Sequence, residues 1–126
     1  MTRYVTASIF LFLPLLPSPV LSQDVEAGAV VFKKCIACHN AETTANKLGP
    51  HLRGVIGRTA GSLEGYNYSK AMKDAGAGGL VWNEAALSEY LGAPKAKVPG
   101  TKMIFPGLKT PEEIENVIAY LKSVSE

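Results

Sequence analysis

Cys35, Cys38 and His39 are the residues whose types and spacing can do chemistry. They stand together in Phe32-Lys33-Lys34-Cys35-Ile36-Ala37-Cys38-His39. On a helix, residues three and four apart share one face. Both thiols can then reach the edge of a flat macrocycle and form thioethers with its vinyl groups. His39, four after Cys35, points a ring nitrogen the same way, and neutral imidazole is a common metal ligand. The pattern C-x-x-C-H is the attachment signature of c-type haem. Three other chemistries compete. A thioredoxin-type C-x-x-C needs strands alternating with helices, and the sequence has almost no strand pattern. Cys35, Cys38, His39 and His51 offer a zinc donor set, but zinc fingers want a separated pair of histidines. A plain disulfide leaves His39 without a role. Covalent haem is favoured over all three.

Haem iron has a second axial position, and its occupant separates a carrier from an enzyme. The candidates are Met72, Met103 and His51. Met103 lies in Val98-Pro99-Gly100-Thr101-Lys102-Met103-Ile104-Phe105-Pro106-Gly107, where Pro and Gly on both sides predict a loop. Methionine in such a loop is not an obvious core filler, and its thioether is a soft ligand that suits haem iron. Met72 falls in a short helical stretch beginning at Ser69 and ending at Gly76, where packing is the better reading. His51 follows Gly49-Pro50, close in sequence to His39, and reads as a loop residue.

These groups need elements to hold them. Asp24 is a candidate cap for a first helix over Val25 to Cys38. A further helix is expected from Asn83 to Leu91, stopping at Gly92, with Leu87, Tyr90 and Leu91 inward. The last helix has the clearest signals: Thr110 as cap, Pro111 in first position, and Glu113 completing a capping box. Ile114, Val117, Ile118 and Leu121 repeat at i, i+3, i+4 and i+7, a core stripe. Gly28 and Phe32 put a flat spot and a ring on one face of the first helix, so the two helices are expected to cross at Gly28.

The chain has 126 residues, enough for one domain, with formal net charge +2. That balance excludes a nucleic-acid binder on charge grounds. Residues 1–22 read as a secretory signal peptide: Arg3, an apolar run from Val5 to Leu16, then small residues up to an expected cut after Ser22. Pro14, Pro17 and Pro19 break the run below the length that spans a bilayer. Residues 23–126 would then form the domain, in an exported, oxidising compartment such as the periplasm.

The chain resembles the class I c-type cytochromes, close to mitochondrial cytochrome c and the related soluble bacterial carriers. Beyond C-x-x-C-H, the likeness rests on Gly28-x-x-x-Phe32, Gly49-Pro50 with Leu52, Gly57-Arg58-Thr59, Tyr66-Asn67-Tyr68, Trp82 and Tyr90-Leu91. It continues in Pro94-Lys95, Pro99-Gly100-Thr101-Lys102-Met103-Ile104-Phe105 and Ile118-Ala119-Tyr120-Leu121. The resemblance implies an all-α fold of three to five helices wrapped around one covalent haem c. It implies His39 and Met103 as axial ligands, and Pro50 as acceptor of the His39 ring N–H. It places Arg58, Tyr68, Trp82 and Thr101 at the haem propionates, and the Tyr90 hydroxyl on the methionine sulfur. Where the family often has asparagine, this chain has Met72.

The expected function is a one-electron carrier and not an enzyme, acting as a monomer. The implied partners are redox proteins that dock transiently at the haem edge: a cytochrome bc complex, a terminal oxidase, a photosynthetic reaction centre or a periplasmic reductase. Lys33, Lys34, Lys47, Lys95, Lys97, Lys102 and Lys109 fall near the motif and the methionine loop, and form a candidate positive ring for acidic partners. Glu112, Glu113 and Glu115 sit at the start of the last helix, where they suit its dipole. Two rival functions remain: a small peroxidase or gas sensor with an open haem, and a haem subunit fixed in a larger complex.

Overall fold

The computed structural model describes residues 23–125. The expected leader, residues 1–22, lies outside the described residues. Five helices follow in order: α1 Val25–Phe32, α2 Lys70–Ala77, α3 Glu84–Gly92, α4 Pro94–Lys97 and α5 Pro111–Ser123. Among the described residues, the β structure is a single antiparallel bridge between Thr59 and Val81, so the fold is all-α. None of these helices is long and apolar enough to cross a membrane.

The terminal helices form the frame. The Asp24 carboxylate caps α1 by accepting the N–H groups of Glu26 and Ala27 at 2.9 and 3.1 Å. The Asp24 N–H in turn donates to Oδ1 of buried Asn116 on α5. Val117, Ile118 and Leu121 bury the expected stripe of α5, and Phe32 stacks at 5.2 Å on Tyr120. Burying each such aliphatic side chain contributes about 1.5–3 kcal/mol. The helices meet at Gly28, where a Cβ would stand 1.9 Å from the Asn116 carbonyl oxygen. The α5 cap holds as expected on one side, with Thr110 Oγ1 accepting the Glu113 N–H. The Glu113 carboxylate reaches past Thr110 to the Lys109 N–H and pairs with Lys34.

Helix α1 is shorter than its sequence pattern predicts. From Lys33 the N–H groups bond carbonyls three residues back: Lys33 to Val30, Lys34 to Val31, Cys35 to Phe32. The chain tightens into turns that end with the His39 N–H on the Cys35 carbonyl. Helix α2 runs one residue past its expected end, because Gly76 does not stop it. Gly76 lies inside the helix against the Ala60 carbonyl, which a Cβ would approach to 1.8 Å. Tertiary contact, not helix termination, is the reason for that glycine. Met72 is buried in the core.

Two loop straps position the remaining elements. Gly57 and Ala60 donate to the carbonyls of Trp82 and Leu80, and the Trp82 N–H donates to Arg58. This binds the segment before α2 to the segment after it. The Asn83 side chain then caps α3 directly behind Trp82. The methionine loop is fixed at both ends: Thr101 N–H bonds the Val98 carbonyl after α4, and Leu108 N–H bonds Leu91 at the end of α3. Gly107, at φ +110°, packs where a Cβ would lie 2.2 Å from the Gly92 carbonyl.

A side chain at the α1–α5 crossing cannot be absorbed without separating the helices. Gly28→Leu should cost about 3 kcal/mol or more, which in a domain of this size lowers Tm by roughly 12 °C or more. Thermal unfolding followed by far-UV circular dichroism checks this, and a near-unchanged Tm would refute the contact.

Candidate functional site

The turns after α1 leave Cys35, Cys38 and His39 half-buried on the inner side of the chain. The two sulfurs are not bonded to each other. Burial pushes the Cys35 thiol above its usual range, more than the Lys34 charge lowers it, and Cys38 pushes it further up. A redox-active dithiol needs the opposite shift. Among the described residues, no group of three or more His, Cys, Asp or Glu converges as a metal site, so the zinc donor set does not assemble.

The segment 49–52 runs back along His39. Gly49 N–H bonds the Cys38 carbonyl and Leu52 N–H bonds the Asn40 carbonyl. Between these two bonds, the Pro50 carbonyl lies 2.7 Å from His39 Nδ1. A carbonyl only accepts, so the proton sits on Nδ1 and Nε2 keeps its lone pair. Burial lowers the His39 pKa against the opposing effect of the Pro50 bond, and the Lys47 charge lowers it further. The ring is therefore held neutral, the form that ligates. A Cβ at Gly49 would stand 2.3–2.8 Å from three ring atoms, so the chain can press against the imidazole only at a glycine.

A second cluster forms around Met103. Helix α3 buries Tyr90 against Trp82, ring centroids 4.9 Å apart. The Tyr90 hydroxyl lies 2.8 Å from Thr101 Oγ1 and donates toward Met103 Sδ at 3.9 Å. Thr101 Oγ1 also accepts the Met103 N–H at 3.4 Å. Trp82, Tyr90, Thr101 and Met103 thus form one continuous chain of contacts. Arg58 joins it through the backbone strap to Trp82, with Tyr68 beside its guanidinium. Two Arg58 donors are turned onto the chain itself, at the carbonyls of His51 (2.8 Å) and Arg53 (2.5 Å).

A family model for cytochrome c matches residues 25–125. This chain belongs to the cytochrome c family. It is 54% identical over 99 residues to cytochrome c2 of Agrobacterium tumefaciens, covering 78% of this chain and 89% of that one. It is 52% identical over 99 residues to cytochrome c-550 of Nitrobacter winogradskyi, covering 78% and 88%. Among solved structures, cytochrome cH from Methylobacterium extorquens superposes with a TM-score of 0.72 at 48% identity, covering 79% of this chain and 98% of that one. This cytochrome accordingly carries one covalently bound haem c and transfers electrons; it is not an enzyme. The donors present fit that group: two unpaired thiols beside a neutral imidazole with a free nitrogen, and a thioether in a fixed loop.

Sequence reasoning missed two groups. Asn46 accepts the His51 N–H at 2.9 Å and reaches the Gly65 carbonyl at 3.5 Å, tying two loops together. No signal in the sequence marks it. His51, read as a loop residue, is only 8% exposed, and its Nδ1 has no partner. Burial and then the Arg58 charge lower its pKa, against a raising bond to the Arg53 backbone. The folded chain takes up a proton on His51 less readily than the unfolded chain, which binds one below about pH 6.5. Stability therefore rises with pH through that range and is lost as pH falls. The urea midpoint should drop between about pH 7 and pH 5, and His51→Asn should make the drop shallower. An equal slope in both proteins would exclude His51 as its source.

Proposed function

We propose that this cytochrome is a soluble periplasmic one-electron carrier with a closed iron site. Cys35 and Cys38 would attach the haem, and His39 Nε2 and Met103 Sδ would be the ligands of its iron. Bound haem supplies an iron that alternates between ferric and ferrous states. Every other part of the task falls to the chain. Pro50 orients the imidazole and, by holding the Nδ1 proton, raises the donor strength of Nε2. Tyr90 and Thr101 orient the thioether. Arg58, Tyr68, Trp82 and Thr101 would hold the propionates. Rigid support of both ligands keeps rearrangement between oxidation states small. The observation that carries this reading is the His39–Pro50 bond at 2.7 Å, together with Met103 held from within by Tyr90 and Thr101. The signal-peptide pattern of residues 1–22 and the bacterial relatives support export.

The docking face we infer is the rim of the cysteine turn and the methionine loop. Ile104 is 99% exposed, Leu48 80% and Ile36 54%. Lys34 and Lys97 of the candidate ring are paired with Glu113 and Glu89. Lys33, Lys47, Lys95, Lys102 and Lys109 have no carboxylate partner among the described residues. Exposed apolar side chains on the same segments as uncompensated lysines suit an acidic redox partner, such as a bc-type complex, an oxidase, a reaction centre or a reductase.

The oxidised holoprotein should show a methionine–iron charge-transfer band, and the reduced form should not bind carbon monoxide. Met103→Ala should lose the band and admit the gas. Ready gas binding by the unaltered protein would favour an open-haem enzyme or sensor. Electron transfer to an acidic partner should slow as salt rises, and Lys95→Glu should weaken that dependence. A flat salt dependence would remove the steering role of the lysines.

A further inference from the structure

The inner supports of Met103 leave one feature unused. Lys102, directly before Met103, is exposed, yet its ammonium lies 5.0 Å from the centroid of the Tyr66 ring. The same ammonium donates to the Asn67 carbonyl. The Tyr66 hydroxyl donates to the Leu48 carbonyl at 2.7 Å. Leu48 precedes Gly49 and Pro50, the residues that press on and orient His39. The Tyr66 ring also meets the Tyr68 ring at 4.8 Å in a T-shaped contact. One side chain therefore grips the loop behind each axial ligand, one with its hydroxyl and the other with its ring face.

We propose that Tyr66 is a positioning residue for electron transfer, a clasp that holds the Met103 loop shut against the His39 loop through Lys102 and Leu48. This rests on Met103 being the sixth ligand. Displacing Met103 requires the segment around it to swing outward. The ends of that segment are fixed by backbone bonds to Val98 and Leu91. Thr101 and Tyr90 hold its inner side. Opening outward must break what holds its outer side, and that is Lys102 on Tyr66 and Asn67. The clasp thus sets how often the iron becomes open to an outside ligand. Tyr66 touches neither ligand atom and acts only through the two loops.

Imidazole binding to the oxidised holoprotein reads this opening directly, because imidazole can enter only when Met103 leaves. A cation–π contact at an exposed site is worth about two- to fivefold in an equilibrium. Opening breaks the cation–π contact and not the Leu48 bond, so Tyr66→Leu should raise the rate of imidazole entry roughly fivefold. Tyr66→Phe keeps the ring and should give a smaller rise. Lys102→Met should raise entry on its own, but add less in the Tyr66→Leu background than in the wild type. Amide exchange at Lys102 and Met103 should quicken in the same order. Gly28→Ala, which weakens the remote α1–α5 crossing, serves as a stability control. If it raises entry as much as Tyr66→Leu does, global loosening explains the effect and the clasp is overturned. Entry within twofold of wild type in Tyr66→Leu, or full additivity with Lys102→Met, would also overturn it. A wild type without the methionine–iron band would remove the Met103 assignment, and the clasp with it. A band present with unchanged entry rates would remove the clasp alone.

Discussion

The close approach of α1 to α5 at Gly28 is the contact on which the rest of the molecule depends. With no side chain at Gly28, the α1 backbone presses on the Asn116 carbonyl, and Asn116 in turn holds the Asp24 N–H. Most of the chain between these helices is loop and short helix, whose local stability is small. The Lys34–Glu113 pair ties the start of the cysteine turn to the start of α5. Phe32, on the last turn of α1, is locked by Tyr120 just before the cysteines begin. The position of the motif is therefore inherited from a helix crossing that contains none of its residues.

Two mechanically different supports meet at the site. On the His39 side the support is backbone: two main-chain bonds flank Pro50, and Gly49 lets the chain lie against the ring. On the Met103 side it is a chain of side chains from Trp82 through Tyr90 to Thr101, standing on α3. Backbone support resists rotation of a ring and fixes its tautomer. A hydroxyl on a thioether is weaker and longer, so the methionine side relies on the stapled ends of its loop. The asymmetry places the Met103 thioether on the more releasable segment.

Charge is distributed by the same logic. Carboxylates at helix starts serve caps and dipoles, as at Asp24 and Glu113, and one of them also neutralises Lys34. Of the lysines without a carboxylate partner among the described residues, Lys33, Lys47, Lys102 and Lys109 lie outside the helices, near the cysteine turn and the Met103 loop, whereas Lys73 and Lys95 stand on α2 and α4. Net charge alone says little, since the sequence is only slightly basic; the asymmetry exists because helix ends collect the acids.

The sequence by itself determined the local chemistry. The C-x-x-C-H spacing, the Thr110-Pro111 start of α5, its i, i+3, i+4 stripe and the Pro- and Gly-bounded methionine loop are all set within a few residues, so they are legible without a fold. Pattern also named α1, α2, α3 and α5, but not α4, and not where α1 and α2 stop. The turns after Phe32 and the continuation of α2 through Gly76 depend on what the chain packs against, and no neighbour in sequence records that. Tertiary structure alone decided that His51 is buried with an unpartnered nitrogen, that Asn46 bridges two loops, that Arg58 spends donors on nearby carbonyls, and that Tyr66 spans from Leu48 to Lys102. Each of these joins groups brought together by loop closure, and a loop without periodicity carries no pattern from which its closing partner can be read.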